Sequence, residues 1–303
     1  MSAAPVLAPA SGIVSGKVVV VVLNWCREAD TAACLESLPV SDYAALEILL
    51  VDNGSPDGSG ARLHRAFPDV PYLQTGRNLG FTGGNNAGIA WACEAGAEFV
   101  VVLNNDTVVE ADCISRLVAA ARSGSDVGAV APTMLVHDAP DRIWYAGGSL
   151  SMLRGTGRHH GEGTVAATPS RDARPEPVSF ITGCCILLTR PALATVGAFD
   201  EEYFAYVEDV DLSYRLTRAG FRLLHEPRAR LLHRVPVAAE EPSPFQIVQR
   251  DRNRRRFVRL RLPWTRRAAF AAWFYPTRAI HLARYVARRD WARARAIWTG
   301  MRT

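Results

Sequence analysis

The chain has 303 residues, 49% of them hydrophobic, and a formal net charge of +5. That length and apolar fraction suit one large core with a small appendage and exclude a fibrous or wholly disordered chain. Six cysteines without a C-x-x-C pair argue against a structural zinc and for buried free thiols in a reducing compartment.

Residues 1–16 are rich in Ala, Pro and Ser and lack a basic segment followed by an apolar core. They are expected to be a disordered leader, not a secretion signal, which predicts a cytoplasmic protein. The β-branched run Lys17 to Leu23 (KVVVVVL) and the run Leu46 to Val51 (LEILLV) have the composition of buried parallel strands. Ala29 to Leu38 lies between them with helical period, and Asp57 to Phe67 follows as a second helix. Val70 to Gln74, a helix over Gly83 to Ala95 and a strand over Glu98 to Leu103 continue the alternation. This order predicts an α/β fold with a doubly wound, mostly parallel sheet flanked by helices.

After Val127 to Ala131 the pattern loosens, and Gly155 to Pro177 is expected to be a mobile flap or disordered insert. Regular structure resumes at Ser179 to Thr189, with a helix over Val207 to Ala219 and a strand-like Ala229 to Leu232. The segment Arg250 to Thr303 carries sixteen arginines against Asp251 and Asp290, a net +14, which leaves the first 249 residues at −9. Its apolar stretch Ala268 to Pro276 is far short of the ~20 residues of a membrane span. Trp264, Trp273, Phe274, Tyr275, Tyr285, Trp291 and Trp298 alternate there with arginine. Two readings stand: interfacial helices on an anionic membrane surface, or helices packed on the catalytic domain.

Ligands of doubly wound sheets bind beyond the carboxyl ends of the strands, where Asn24, Asp52-Asn53-Gly54-Ser55 and Asn104-Asn105-Asp106 fall. Asp106 is placed to hold a hard cation that bridges phosphate oxygens, or to cap a turn. Asp52 is expected as an exposed carboxylate that accepts from a pyrimidine N3–H or a ribose hydroxyl, or as part of an Asp-Asn-Gly turn. Gly76 to Asn86 (GRNLGFTGGNN) puts Arg77 and flexible backbone before a helix N-terminus, an arrangement suited to an anion. It matches neither the dinucleotide fingerprint nor a P-loop, which disfavours a dehydrogenase or ATPase. Glu208-Asp209-Val210-Asp211 opens a helix after the aromatic Tyr203-Phe204-Ala205-Tyr206. Its acids serve the helix dipole or supply a general base beside a sugar-binding surface. His233 is a structural imidazole or the completion of a metal shell begun by Asp106.

Together, VVVLNW at Val20 to Trp25, VDNGS at Val51 to Ser55, GRNLGFTGGNNAG at Gly76 to Gly88, LNND at Leu103 to Asp106, TGCCILLTR at Thr182 to Arg190 and VGAFDEEYFAYVEDVDLSYRLTRAGFR at Val196 to Arg222 resemble the inverting GT-A glycosyltransferases of family 2. The branch is that of bacterial rhamnosyltransferases and galactofuranosyltransferases. The resemblance implies a GT-A catalytic domain over 17–235, with a nucleotide-binding half to about residue 131, an acceptor-binding half from about 132, and a basic helical extension over 236–303. It implies Asp209 as catalytic base, supported by Glu208 and Asp211. Donor contacts are expected at Leu23, Asn24, Asp52, Asn53, Arg77, Asn78, Gly83, Asn86 and Asn105, and acceptor contacts at Thr182, Gly183 and Tyr206.

Asp106 and His233 would hold Mg2+ or Mn2+ on the diphosphate of a dTDP- or UDP-sugar. The family's Asp-X-Asp appears here as Asn104-Asn105-Asp106, so metal and donor are expected to bind together. The expected reaction moves L-rhamnose from dTDP-rhamnose to a saccharide, lipid-linked or small-molecule acceptor. UDP-galactofuranose, or another UDP- or dTDP-sugar, is the alternative donor. The rival class is a non-catalytic nucleotide-sugar or nucleic-acid binder. The resemblance implies no nucleic-acid partner, and self-association into a homo-oligomer is left open.

Overall fold

A computed structural model describes residues 12–235 and 241–302. Residues 1–11 of the expected leader lie outside the described residues. Just after them, the Val14 amide donates to the Gly96 carbonyl at 2.8 Å.

The elements in chain order are β1 (Val18–Asn24), α1 (Glu28–Ser37), β2 (Leu46–Asp52), α2 (Ser59–Ala66), β3 (Tyr72–Gln74), α3 (Gly80–Glu94), β4 (Phe99–Asn104), β5 (Thr107–Val109), α4 (Cys113–Ala121), β6 (Val127–Val136) and β7 (Ala139–Tyr145). There follow β8 (Gly148–Ser151), β9 (Thr156–His159), β10 (Glu176–Val178), β11 (Cys185–Thr189), α5 (Arg190–Val196), a 3-10 turn (Glu201–Tyr203), α6 (Glu208–Arg218) and β12 (Arg222–His233). Three helices close the chain: α7 (Pro244–Arg261), α8 (Trp264–Ala287) and α9 (Trp291–Arg302).

One mixed sheet runs β10-β12-β6-β11-β4-β1-β2-β3, with β5 added to β12 and β7 to β6. Its β4-β1-β2-β3 part is wholly parallel, and β12 pairs parallel with β6. The antiparallel β11 joins the two parts. Val18 to Val22 are fully buried, as a strand covered by helices on both faces requires. Because β2 lies on one side of β1 and β4 on the other, the winding reverses at β1, and a crevice opens beyond its carboxyl end. Register sets Asn24 beside Asp52 and Leu23 beside Asn104.

The segment expected as a flap is built into the fold at its two ends, with residues 160–175 between them in no helix or strand. β8 and β9 form an antiparallel hairpin, β10 joins the sheet edge at β12, and Arg142 bridges Val165. Gly157 lies so close to Phe180 that an added Cβ would sit 2.3 Å from its ring, so packing holds the hairpin despite its loop-like composition. The loosening expected after Ala131 is also absent: β6 continues to Val136, buried throughout.

Helix α7 starts from a Ser243–Gln246 capping box with Pro244 in its first turn. It packs Phe257 and Val258 into the main core, while Ile247 joins Tyr285, Ala294 and Ile297 in a small second cluster. Part of the C-terminal segment therefore packs on the main core. Among the described residues no helix is long and apolar enough to cross a membrane. All six cysteines are free, and all but Cys26 are buried.

Candidate active site

A continuous polar chain ties the three strand ends together. Asn24, at the end of β1, donates Nδ2 to Asp52 Oδ1 at 3.0 Å and lies within 3.1 Å of the Ser55 and Ser59 hydroxyls. Its Oδ1 accepts from Thr31 Oγ1 at 2.9 Å, and Thr31 in turn accepts from Asn105 Nδ2 at 2.8 Å. The LNND loop is thus braced against the end of β2 through side chains of β1 and α1.

Asp52 is not the exposed carboxylate expected. It is 1% exposed, with Oδ1 accepting from Asn24 and the Ser55 hydroxyl, and Oδ2 from Gln74 Nε2 and the Ser55 amide. A Cβ on Gly60 would strike its carboxyl carbon, so the helix after the loop presses directly on it. Two further expected donor residues are likewise consumed by the protein. Asn53 donates to Asn78 Oδ1 and the Gly80 carbonyl and accepts from the Leu79 amide. Asn86 is buried and clasps Phe199, donating to its carbonyl at 2.8 Å and accepting from its amide at 3.0 Å.

The N-terminus of α3 is occupied too: the Thr82 amide donates to the Phe204 carbonyl. Gly80, at φ +73°, leaves no room for a Cβ beside the Phe204 ring, so this contact is steric as well as polar. Gly83 packs under Leu79, whereas Arg77 and Asn78 are exposed at the crevice. Leu23 is half-buried, lying against Gly84 of α3.

Asp106 follows β4, and His233 ends β12. The pairing of β5 with β12 brings the two side chains together, His233 Nε2 lying 3.2 Å from Asp106 Oδ1. The distance is short, but Asp106 Oδ1 is buried with no hydrogen-bond partner, as is His233 Nδ1. Trp144 stands edge-on to the imidazole at 4.3 Å and fixes its plane. The spacing suits two adjacent ligands of one octahedral cation, about 3 Å apart for bonds near 2.1 Å. No group of three or more His, Cys, Asp or Glu side chains suited to a metal occurs among the described residues. A divalent ion placed here would find two protein ligands, with phosphate oxygens or water to supply the rest.

The acidic cluster divides by environment. Asp209 Oδ2 accepts from the Gly183 amide at 3.2 Å, and its Oδ1 from the Val210 amide at 2.8 Å. Burial pushes its carboxyl up to about 6, against the pull of these amides and of Arg250. Burial and the neighbouring Asp209 charge raise Glu208 well above the usual carboxylate range, and its Oε2 has no partner. Both carboxyls are thus pushed upward, Glu208 by burial and by its charged neighbour, Asp209 by burial. Asp211 plays no such part: fully buried, it accepts from Arg215 Nε and Arg261 Nε, each at 2.7 Å. Glu208 and Asp209 line one cavity, and Asp211 is the buried anchor behind them.

Asp209 opens on a cavity of about 410 Å3 lined by Phe180, Tyr206 and, from the extension, Arg250, Arg254 and Arg278. Thr182 and Gly183 lie in the loop just before β11, Gly183 against Phe81 and near Asp209. Arg250 stacks over the Tyr206 ring at 5.0 Å. Neither Gln74 nor Arg250 stands out in the sequence. Gln74 is a lone amide at a short strand's end, and Arg250 is hidden among sixteen arginines whose helical spacing, with Arg254 one turn on, was its only signal.

The doubly wound mixed sheet, with Asp106 just past the end of β4 and Asp209 in the first turn of α6, has the GT-A fold of solved glycosyltransferases. Residues 16–257 match the family described as Glycosyltransferase like family 2, and the chain belongs to that family. It is 35% identical over 217 residues to the N-acetylglucosaminyl-diphospho-decaprenol L-rhamnosyltransferase of Mycobacterium tuberculosis, covering 66% of this chain and 70% of that protein. A low-salt glycan biosynthesis hexosyltransferase of Haloferax volcanii is 25% identical over 243 residues, covering 78% of this chain and 73% of that one. Among solved structures, GalNAc-T7 with UDP, GalNAc and Mn2+ superposes with a TM-score of 0.62 at 18% identity, over 80% of this chain and 48% of its own. The Pyrobaculum calidifontis mannosyltransferase PcManGT, with GDP-Man and Mn2+, gives 0.54 at 18% identity, over 97% of this chain and 88% of its own.

Proposed function

We propose that this glycosyltransferase moves L-rhamnose from dTDP-rhamnose onto a lipid-linked saccharide with inversion at the anomeric carbon. The observation that carries the reading is Asp209, a carboxylate with its working range near pH 6, held by two backbone amides and open to a cavity large enough for a sugar. The 35% identical relative, whose name specifies L-rhamnose and a diphospho-decaprenol acceptor, supports the choice of sugar and acceptor class.

In this account Asp209 takes the proton from the acceptor hydroxyl as that oxygen attacks the anomeric carbon. Glu208, buried beside it and raised by the Asp209 charge, resists ionising next to the base. Tyr206 and Phe180 offer ring faces to the acceptor sugar. Asp106 and His233 would hold Mg2+ or Mn2+, which would supply positive charge to offset that of the departing nucleoside diphosphate. Gln74 and Ser55 sit on the Asp52 carboxylate, so a nucleobase reaching Asp52 displaces one of them.

The test is transfer from dTDP-rhamnose to a polyprenyl-diphospho-N-acetylglucosamine acceptor, with the product anomer read by NMR. Inverted rhamnoside is expected. Turnover of UDP-galactofuranose with none of dTDP-rhamnose would replace the sugar assignment, and a retained anomer would end the single-displacement account.

A further inference from the structure

Helix α7 presents two faces with different tasks. One carries Ile247, Arg250, Asp251 and Arg254 to the cavity beside Asp209. The other carries Arg252, Arg255, Arg256 and Arg259, at successive helical spacings, into a separate cavity of about 370 Å3 closed by Arg267 of α8.

The charge of this second cavity is unbalanced. Arg256 pairs with Asp200 at 2.9 Å and Glu202 at 3.6 Å. Among the described residues no carboxylate comes within ion-pair distance of the other four arginines. Arg255 and Arg267 donate to the carbonyls of Gly300 and Leu262, which orients them without neutralising them. Glu202, the carboxylate that lines this cavity, is paired with Arg256, so the other four cations repel one another, a cost that an anion removes. On the stripe of α8 that continues from Arg267, Ala271 and Tyr275 line the cavity, and Trp264 lies one turn before Arg267, 76% exposed. Leu260 beside Arg259 is also exposed, at 44%. A large aromatic and an aliphatic side chain in water beside an unneutralised arginine cluster match the two layers of a membrane interface: phosphates outside, acyl chains beneath.

We propose that this corner between α7 and α8 is a docking site for an anionic bilayer, in which the arginine cavity takes a lipid phosphate while Trp264 and Leu260 enter the acyl boundary. Docked in this way, α7 has one face on the lipid surface and another on the cavity that opens to Asp209. An acceptor carried on a lipid then meets the base without leaving the bilayer. The docking itself involves neither donor nor acceptor, so its failure leaves the proposed transfer reaction standing, and the reverse also holds.

The experiment measures partition of the full chain onto vesicles of phosphatidylglycerol mixed into phosphatidylcholine, and onto phosphatidylcholine alone. Wild type is expected on the anionic vesicles only. The double variant Arg252→Gln/Arg259→Gln should lose roughly thirtyfold in partition, about fivefold per arginine at an anionic surface. A control that removes the same charge elsewhere, Arg65→Gln/Arg218→Gln, should lose little. Trp264→Ser, at a position exposed enough to leave folding intact, should weaken partition without altering its salt dependence. Equal loss in the control would reduce the effect to net charge and overturn the site. Unchanged partition in the double variant, or saturable binding of inorganic phosphate by a protein that ignores the vesicles, would overturn the lipid assignment.

Discussion

Arg261 on α7 donates Nε to Asp211 Oδ1 at 2.7 Å, joining the C-terminal extension to the first turn of α6 two residues from Asp209. Asp211 has no exposed surface and also holds Arg215 and the Tyr203 hydroxyl. Removing one partner of such a buried group leaves uncompensated charge. Asp211→Ala should therefore cost about 3–5 kcal/mol of stability, read as a lower denaturant midpoint. If Asp211 instead acted in chemistry, Asp211→Ala would lose turnover with an unchanged midpoint.

The loop before Asp209 is strained, and α7 holds it. Phe204, Tyr206 and Val207 have φ of 60°, 70° and 73°, in the left-handed region that a β-branched residue such as Val207 strongly disfavours. Asn253 Nδ2 lies 2.8 Å from each of the Tyr203, Ala205 and Tyr206 carbonyls. Asn253→Ala frees the loop and leaves those carbonyls unmet, for a loss of about 1–3 kcal/mol. The expected signature is a marked fall in kcat with nucleotide affinity unchanged. An unaltered kcat would show that the loop keeps its shape without Asn253.

The pH dependence follows from Asp209. As a base it must be ionised, so kcat/KM should rise with an inflection near pH 6. Stability runs the other way. A carboxyl whose pKa is raised by folding holds its proton more tightly in the folded state, so its contribution falls as pH climbs from the usual carboxylate range to about 6. Arg250 lowers this pKa, and Arg250→Gln should move the inflection upward. A pH–rate profile of the two proteins checks this, and a shift downward would contradict it.

Much of the scaffold was legible because the strands are continuous apolar runs: Val18 to Val22 and Leu49 to Val51 lie fully buried where their composition puts them. That Asn24 and Asp52 meet, with the Asn105 loop tied to them through Thr31, followed from strand ends alone. What was not legible depends on partners distant in sequence. Asp52 is covered by Gln74 and pressed by Gly60, and Asn86 is occupied by Phe199, 113 positions away. No local pattern distinguishes a polar residue waiting for a ligand from one already satisfied by the chain. The β8–β9 hairpin was missed because its glycines resemble a loop, although they are there to admit Phe180.

Metal binding should depend on the donor. Asp106 and His233 are two ligands where an octahedral ion takes six. Calorimetry should find Mn2+ weak on the free protein and tight with dTDP present. His233→Ala should reduce the metal-assisted nucleotide affinity by about 10–100-fold. Tight Mn2+ binding without nucleotide would contradict a two-ligand site.

The central claim, that Asp209 is the base of glycosyl transfer, is tested most directly by Asp209→Asn with turnover and nucleotide affinity measured on the same sample. Asn can accept only weakly and cannot take the proton, so turnover should fall by about 10²–10⁴-fold while affinity for dTDP with Mn2+ stays within a factor of two or so. Turnover close to wild type at unchanged nucleotide affinity would contradict the claim.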